Sequence, residues 1–453
     1  MDVHTAGFAR VFMASPGAGK SFEFRGKNSR SRQDAPGYTR CMNSNKVVIV
    51  GGGVIGLCTA YHALRKGLEV TVVDNGGDNC SSGNAGMIVP SHFIPLAAPG
   101  MVAKGLRWMF NPRSPFYIRP APDPRLIRWC LLFLRHANAR HVDASSGLLR
   151  DLSLESRRLF AEMAEEEDFG LVKKGLLMLC RTEKGLHEEA EVAEAALKIG
   201  IRADVLGSSQ AAALDPAVEM NIAGAVHFPQ DCHLDPARFL SAVRKRVLAL
   251  GGSIVDGVEV ENVERAGGRI TAVSGGGRRF EGGRFVFCGG SYTAKLLAKT
   301  GIRLPLQPGK GYSLTLEKPA QLPGLCSILC EAKVAVTPMD GRLRIGGTME
   351  VGSMDHHVKP NRVRGIVESV SDYLPAFKAE NFDGIEPWVG LRPVSPDGLP
   401  YIGPAPRFEN LYVSTGHAMM GLSLGPVSGM LMADLLAGDA PFRDIGGLAV
   451  GRF

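Results

Sequence analysis

The stretch Val47-Val48-Ile49-Val50-Gly51-Gly52-Gly53-Val54-Ile55-Gly56 decides the fold of this chain. The four β-branched residues at its start are typical of a buried parallel strand. Gly51, Gly53 and Gly56 fit the pattern G-x-G-x-x-G, and apolar residues at helical spacing follow them. The first glycine permits a tight turn, the second lets backbone approach a pyrophosphate, and the third lets the helix pack closely on the strand. The stretch therefore predicts a strand, a glycine turn and a helix in succession.

A second apolar run, residues 69–74, ends in Asp74, 23 residues after Gly51. A carboxylate at that distance can accept hydrogen bonds from both ribose hydroxyls and would repel a 2′-phosphate. The amides at the start of the helix would point at the phosphates. The unit predicts a site for FAD or NAD rather than NADP. The candidate cofactor-binding residues in this unit are Gly51, Gly53, Val54, Ile55, Gly56 and Asp74.

Composition describes a large globular protein. Its 453 residues, 45% of them hydrophobic, suffice for two or three domains. Residues 1–45 hold seven Lys or Arg against three acids, so +4 of the net charge of +7 lies there and +3 remains for the rest. We therefore expect no nucleic-acid partner. The nine cysteines form no C-x-x-C pair and no zinc pattern, which predicts reduced thiols, no metal site and a cytoplasmic location.

Residues 1–45 are interpreted as a disordered leader or as a start codon assigned too far upstream, because Met42 directly precedes the first strand. Residues 14–21 resemble a phosphate-binding loop. The polar residues after them favour extended chain over the helix that such a loop needs, so we reject that interpretation. We expect a chain that starts at Met42 to keep its activity.

A short apolar helix edged by arginines is predicted at residues 125–135. Two interpretations stay open. It is a core helix whose arginines reach solvent, or it lies at an anionic lipid surface and holds the protein peripherally on the inner face of the plasma membrane.

Three later stretches would return the chain to the nucleotide. Residues 285–291 form an apolar strand that runs into a glycine turn, residues 390–403 are rich in proline and glycine, and a strand at 410–413 leads to Ser414-Thr415-Gly416-His417. Other elements are expected as follows: helices at 148–167, 184–199 and about 421–436, and strands at 253–260, 269–288 with a hairpin turn at 274–277, 312–316, 335–338 and 343–347.

These motifs together resemble the D-amino-acid-oxidase superfamily of FAD proteins, and within it the bacterial D-amino-acid dehydrogenases. The resemblance covers about residues 46–438. Its specific parts are Gly83-Asn84-Ala85-Gly86, residues 97–101 and 107–110, Lys310-Gly311-Tyr312-Ser313-Leu314, Gly390-Leu391-Arg392-Pro393 with residues 396–398, and residues 414–417. Their order along the chain carries the resemblance more than any one of them.

The resemblance implies an α/β fold with a discontinuous Rossmann-like FAD-binding domain and an α+β substrate domain with an antiparallel sheet. The FAD domain would comprise residues 46–120, 235–300 and 386–440. The substrate domain would comprise residues 121–234 and 301–385, with a tail at 441–453. Further residues are then implied to hold FAD: Asn84, Ala85 and Gly86 near the flavin, Val260 by the adenine, Gly290 at the cleft, and Gly416, Met420, Gly421 and Leu422 at the pyrimidine edge.

The implied reaction oxidises the CH–NH bond of a D-amino acid and passes electrons to a quinone or an electron-transfer protein. Arg392 is the candidate clamp for the substrate carboxylate, because a guanidinium can form two parallel hydrogen bonds with it; the alternative is a structural arginine on loop carbonyls. Tyr312 is a second candidate contact, or else a core tyrosine. His417 would place a donor near the flavin, or else is structural.

Several alternatives stay open on the sequence alone. The substrate is cis-4-hydroxy-D-proline or another cyclic D-amino acid, or the enzyme resembles a glycine or sarcosine oxidase. An NAD-dependent dehydrogenase would share residues 51–74 without needing the later return motifs. A protein of another class, a non-catalytic FAD-binding subunit of a complex, would bind flavin without oxidising any amino acid. The sequence leaves the oligomeric state open.

Overall fold

The computed structural model describes residues 45–77 and 79–453. Residues 1–44 of the predicted leader lie outside these residues, and with them the motif at 14–21 that resembles a phosphate-binding loop and Cys41. Helices are α1 (Val54–Arg65), α2 (Met101–Met109), α3 (Pro124–His136), α4 (Ala139–Glu166), α5 (Glu183–Lys198), α6 (Ser208–Leu214), α7 (Pro236–Ala249), α8 (Thr293–Ala298), α9 (Pro360–Tyr373) and α10 (Gly425–Ala437).

The strands in the same residues follow in chain order. They are β1 (Lys46–Val50), β2 (Glu69–Val73), β3 (Met87–Ile88), β4 (Phe116–Ile118), β5 (Leu176–Cys180), β6 (Asp204–Gly207), β7 (Gly224–Phe228), β8 (Cys232–His233), β9 (Ser253–Val255), β10 (Asn262–Ala266), β11 (Arg269–Gly275), β12 (Arg278–Glu281), β13 (Arg284–Phe287), β14 (Gln307–Leu316), β15 (Cys326–Leu329), β16 (Val334–Met339), β17 (Arg342–Val351), β18 (Trp388–Val394), β19 (Tyr401–Pro404) and β20 (Leu411–Thr415).

A six-stranded sheet forms the first layer, in the order β19-β20-β13-β1-β2-β9. The five strands from β20 to β9 run parallel, and β19 pairs antiparallel at the edge. Strand β1 lies between β2, which follows it in sequence, and β13, which returns more than two hundred residues later. This reversal of strand order leaves a crevice at the carboxyl ends of β1 and β13, where open α/β sheets bind their ligands.

Both faces of the six-stranded sheet are buried, which explains the unbroken apolar run of β1. Val47 and Ile49 pack with α1, α4, α7 and α10 on one face. Val48 and Val50 pack on the other face with residues of β11 and α8. Alternate side chains of a strand point to opposite faces, so a strand covered on both sides needs apolar residues at every position.

A second, larger sheet runs β18-β14-β17-β16-β15-β5-β7-β6, with β4 added on β17. All its pairs are antiparallel except β15 with β5 and β17 with β4. Strands β10, β11 and β12 form a small antiparallel sheet, and β3 pairs with β8. The predicted fold class, a Rossmann-like parallel core with a separate antiparallel sheet, is confirmed. The domain boundaries stay a prediction.

Five predicted elements have the wrong limits, since the strand expected at 312–316 begins at Gln307 and the strand expected at 343–347 ends at Val351. The helix expected at 148–167 begins at Ala139, because the side chain of Asn138 accepts a hydrogen bond from the amide of His141 (3.0 Å) and caps it. The strand expected at 253–260 ends at Val255, since Gly257 turns the chain with φ +74°. The helix expected from about residue 421 begins at Gly425, because a 3₁₀ turn occupies Ala418–Met420.

Other features agree with the sequence. Residues 274–277, a serine and three glycines, join β11 to β12 as a hairpin. The eight cysteines within the described residues are free thiols. In the same residues, no helix is both long enough and apolar enough to cross a membrane.

Candidate active site

One cavity of about 1190 Å³ opens at the carboxyl ends of β1 and β13. Its wall combines turns of the six-stranded sheet with residues of the larger sheet, among them Gly311, Gly347 and Arg392. Pockets for a single small ligand usually measure about 300–1,000 Å³. The cavity is therefore large enough for a dinucleotide together with a small substrate.

The glycine turn after β1 fits its neighbours so closely that side chains are excluded. Gly51 has φ +109°, and a Cβ there would lie 2.6 Å from the carbonyl oxygen of Cys288, in the turn after β13. A Cβ on Gly56 would overlap the carbonyl oxygen of Gly51. Gly51 lies on the cavity wall, whereas Gly56 lies behind it and lets α1 approach the turn.

The N-terminus of α1 faces the cavity at Gly53, Val54 and Ile55. Gly53 is the N-cap and offers no side-chain cap. The amide of Val54 donates to the hydroxyl of Ser81 (3.1 Å), and a Cβ on Gly53 would lie 3.3 Å from the same oxygen. Ser81 is thus a site residue that sequence reasoning did not single out; the small hydroxyl residues of its loop were the only signal.

Asp74 directly follows β2 and lies on the cavity wall. Its carboxylate accepts hydrogen bonds from the amides of Gly52 (2.5 Å) and Gly76 (2.8 Å). A carboxylate has about four acceptor positions, so these two bonds fix its orientation and leave acceptor capacity for a ribose. The contact of Asp74 with a ribose stays a prediction.

The loop after β2 continues the wall at Asn84 and Ala85. The Asn84 side chain accepts from the amide of Gly86 (2.8 Å). Gly86 lies behind the wall with φ +76°, where a Cβ would overlap the carbonyl oxygen of Leu234. Arg344 of β17, which the sequence did not indicate, donates to the carbonyl of Asn84 (3.1 Å) and so ties this loop to the larger sheet.

Except for Gly416, the remaining predicted cofactor residues lie on three segments of the same wall: Val260, Gly290, Met420, Gly421 and Leu422. The hydroxyl of Thr415 donates to the carbonyl of Gly290 (2.9 Å) and joins two of these segments. Gly416 is behind the wall. Its φ is +83°, and a Cβ there would lie 2.8 Å from the ring of Tyr401, so both the backbone and the packing demand glycine.

Arg392 extends from β18 across Gly311 of β14, and a Cβ on Gly311 would overlap its guanidinium. Its Nη1 donates to the carbonyl of Thr348 (2.6 Å). Thr348 has φ +66° at a bulge in β17, which turns that carbonyl toward the arginine. Among the described residues, no carboxylate lies within ion-pair distance of Arg392, and burial lowers the pKa of its guanidinium.

Tyr312 borders the cavity, but its side chain packs into the core of the larger sheet. Its ring belongs to the hydrophobic cluster that includes Ile366 of α9, and its hydroxyl donates to Glu350 (2.5 Å). Burial, followed by this hydrogen bond, raises the pKa of Tyr312. The geometry favours the structural interpretation of Tyr312 over the substrate contact.

His417 lies on the cavity wall and is buried. Its Nε2 is 2.9 Å from the hydroxyl of Ser428 in α10, whereas Nδ1 has no hydrogen-bond partner in the described part of the chain. Burial lowers the pKa of His417 to about 3, so the imidazole is neutral. Its role near a flavin stays a prediction.

Trp388 is a further wall residue that the sequence did not indicate. Its indole fits between two glycines, since a Cβ on Gly83 or on Gly390 would overlap the ring. Gly83 and Gly390, which belong to motifs of the family resemblance, thus leave space for a large aromatic side chain.

Comparison with known proteins fits this geometry. The family model described as FAD dependent oxidoreductase matches residues 46–435. The chain belongs to this family of FAD-dependent oxidoreductases. The oxidoreductase is 34% identical over 419 residues to a D-amino acid dehydrogenase of Rhizorhabdus wittichii, covering 90% of this chain and all of that one. A D-amino acid dehydrogenase of Granulibacter bethesdensis is 31% identical over 418 residues, covering 90% of this chain and 99% of that one.

Among solved structures, this oxidoreductase is similar to glycine oxidase from Geobacillus kaustophilus. The TM-score is 0.73 at 25% identity, covering 90% of this chain and 98% of that one. The protein is therefore an FAD enzyme. The prediction that chose FAD from the two dinucleotides left open by the first motif is confirmed, and the NAD-dependent alternative is excluded.

The described residues fit FAD. The open N-terminus of α1 suits the pyrophosphate, the oriented Asp74 suits the ribose, and the cavity extends past Ala85 to Arg392 on the other sheet. Which residue touches which part of the cofactor stays a prediction.

Proposed function

We propose that this enzyme oxidises the CH–NH bond of a D-amino acid to an imino acid, which water hydrolyses to the 2-oxo acid when the substrate is acyclic. One observation carries the proposal: Arg392 lies on the wall of the FAD cavity without a carboxylate partner among the described residues. A substrate carboxylate could accept two charge-assisted hydrogen bonds from Arg392 and so supply its missing ion-pair partner. The names of the relatives support the D-amino acid.

The protein's own groups would bind and orient this substrate. Arg392 would hold the carboxylate, because only one of its donors is used by Thr348. Trp388 and the strands around it would exclude water. Bound FAD supplies the acceptor for the hydride that leaves the α-carbon, so the chain need not provide a redox group.

The test is an anaerobic half-reaction. The purified yellow holoenzyme is mixed with D-amino acids, their L-enantiomers, glycine, sarcosine and D-hydroxyprolines, and bleaching of the flavin is followed. We expect D-amino acids to bleach it faster than their L-enantiomers. The fastest substrate decides between an acyclic D-amino acid, cis-4-hydroxy-D-proline and a glycine-type substrate.

Two outcomes would contradict the proposal. A flavin that no amino acid reduces would favour the non-catalytic FAD-binding subunit. A flavin that plain amines reduce as fast as amino acids would show that no carboxylate is recognised.

We further propose that the electrons pass to a quinone-type acceptor at a membrane surface. Helix α3 supports this, because only one of its sides, with Leu126 and Trp129, faces the core. Ile127, Leu131 and Leu134 recur at intervals of four and three residues and are 52%, 62% and 51% exposed. An exposed apolar row edged by arginines is typical of helices that lie on anionic lipid.

Membrane contact is tested with vesicles that contain anionic lipid and a quinone. The variant Leu131→Ser should lower co-sedimentation, because it removes apolar area from the row. Leu197→Ser is the matched control, since Leu197 is 54% exposed on a different helix, α5. Equal binding by both variants would contradict the membrane proposal, and peroxide production as fast as dye reduction would make the enzyme an oxidase.

A further inference from the structure

A second histidine, His92, lies on the cavity wall in the segment after β3. Its Nδ1 is 3.1 Å from the hydroxyl of Ser91. Within the described part of the chain, no hydrogen bond reaches its Nε2. One ring nitrogen of His92 is therefore hydrogen-bonded to Ser91, and the other has no hydrogen bond within the described residues.

Behind His92, Ser91 contacts a carboxylate that solvent does not reach. The Ser91 hydroxyl donates to Asp231 Oδ2 (2.5 Å), and the Ser91 amide donates to Asp231 Oδ1 (3.1 Å). Asp231 lies in the turn between β7 and β8 and is 0% exposed. Within the described residues Asp231 accepts these hydrogen bonds but forms no ion pair, and a buried carboxylate without an ion pair is costly to keep ionised.

We propose that Asp231, Ser91 and His92 form a proton relay that removes a proton from the substrate ammonium group before the CH–NH bond is oxidised. The proposal rests on the proposed function, because an amino acid binds mainly as its ammonium form near neutral pH. Oxidation to an imine needs the nitrogen lone pair, which the ammonium form lacks.

The transfer balances without a redox partner. The ammonium N–H bond breaks, the nitrogen keeps the electron pair, and the proton goes to Nε2 of His92. The Nδ1 proton passes to the Ser91 oxygen, and the Ser91 proton passes to Asp231. The imidazole ends neutral in its other tautomer, and the carboxylate ends protonated. Each donor and acceptor within the chain is 2.5–3.1 Å apart, which is the reach that proton transfer needs.

The electrostatics of the two end groups agree with this direction. Burial raises the pKa of Asp231 to about 7 and lowers the pKa of His92 to about 4. A proton that enters at His92 therefore comes to rest on Asp231. The charged groups facing the relay are Lys333, beside His92, and Arg157 of α4, beside Asp231, and the titratable thiols of Cys232 and Cys326 also lie near Asp231. Lys333 favours the neutral form of His92, and Arg157 favours the carboxylate form of Asp231.

Asp231 and Ser91 are positioning and relay residues, and of the three relay residues only His92 would touch the substrate. The test uses the holoenzyme in the anaerobic half-reaction, followed from pH 6 to pH 10 with the best amino acid. The wild-type reduction rate should rise through about pH 7, where Asp231 loses its proton. In Asp231→Asn this rise should move to the higher pKa of the substrate amine.

The wild-type rate should exceed that of Asp231→Asn by about 100-fold or more at pH 7. The ratio of the two rates should shrink toward one at pH 10, because much of the dissolved amino acid is then already in its free-amine form. Ser91→Ala should behave like Asp231→Asn, and Ser91→Thr should recover the rate because it keeps a hydroxyl. Asp215→Asn is the matched control: this buried carboxylate accepts from the amide of Leu325 (3.1 Å) away from the cavity wall.

A ratio that stays constant between pH 6 and pH 10 would overturn the relay and leave a structural role. If Asp231→Asn does not retain FAD, His92→Gln provides the same measurement, because its amide cannot pass a proton on. A wild-type flavin that no amino acid bleaches would overturn the proposed function and the relay with it. Bleaching with a pH-independent ratio would overturn the relay alone.

Discussion

Gly311→Ala should disable the proposed carboxylate clamp without removing its charge. The added methyl group would overlap Nη1, Cζ and Nη2 of Arg392, and backbone surrounds the glycine on both sides through the pairing of β14 with β17 and β18. The guanidinium must therefore move, and its hydrogen bond to Thr348 must lengthen or break. Arg392→Ala removes the clamp altogether by deleting the charged group.

The magnitude follows from the desolvated position of the arginine. Truncating one partner of a buried charge pair costs about 2–5 kcal/mol in binding. At about 1.4 kcal/mol per factor of ten, Arg392→Ala should lower kcat/KM by roughly 30-fold to several thousand-fold. Gly311→Ala should fall in the same range, since a clamp displaced by about 1 Å loses most of its alignment. Arg392→Lys should retain more kcat/KM than Arg392→Ala but less than the wild type, because an ammonium cannot form two parallel hydrogen bonds.

The assay is steady-state dye reduction with the best D-amino acid, together with the FAD content of each purified variant. Gly311→Ala and Arg392→Ala should both keep their FAD, since the proposed clamp holds the substrate and not the cofactor. Gly324→Ala is the matched control, because the nearest atom to its added methyl group is Asp215 Oδ1 at 3.5 Å, an ordinary van der Waals distance. That variant should keep the wild-type kcat/KM.

Near-normal kcat/KM in Arg392→Ala would refute the assignment of the clamp. If Arg392→Ala is impaired but Gly311→Ala is not, the arginine acts through its charge and not through the position that the structure gives it. Loss of FAD from Arg392→Ala would instead give the residue a cofactor role.

Three further predictions concern the fold around the site. Gly56→Ala should purify without FAD, as its absorbance would show, because the added methyl group overlaps the carbonyl oxygen of Gly51 and moves α1 from the turn. Arg452→Ala should lower the free energy of unfolding in urea by about 3–5 kcal/mol, since it leaves the buried Asp397 carboxylate without its paired charge; a decrease below about 1 kcal/mol would contradict this. Burial lowers the pKa of His62 to about 3, so its stabilising effect is present above the unfolded pKa of about 6.5 and is lost as pH falls. Between pH 7 and pH 5 the wild type should therefore lose about 2 kcal/mol more than His62→Gln, and equal decreases would show that His62 is accessible to protons in the folded state.

The sequence alone determined the features that depend on neighbouring residues. Strand β1, its glycine turn and α1 follow from β-branched residues, positive φ and helical spacing within about twenty positions. The position of Asp74 at the end of β2 follows in the same way, because the length of one βαβ unit fixes where the second strand ends. The order of later motifs, through their resemblance to a family of FAD proteins, also indicated the second sheet.

Tertiary structure decided which side chains share the cavity. The sequence made both Arg392 and Tyr312 candidates for substrate contact. In the structure, however, β14 places the Tyr312 ring on the face that packs against α9. Arg392 crosses Gly311 toward the cavity because of the pairing between β14 and β18 and the bulge at Thr348 in β17. Register and bulges come from pairing between distant strands, and a shift of one residue moves every side chain to the opposite face.

The contact between Ser91 and Asp231 joins residues 140 positions apart. No local pattern marks such a pair, because a serine and an aspartate are ordinary turn residues in sequence. The proposed relay rests on their burial and on the hydrogen bonds that connect them with His92. The sequence determined what the chain binds, since a phosphate-binding turn is a local structure, whereas the groups that would act on a substrate were decided by long-range packing, because only the folded sheets remove water from them and set their charges.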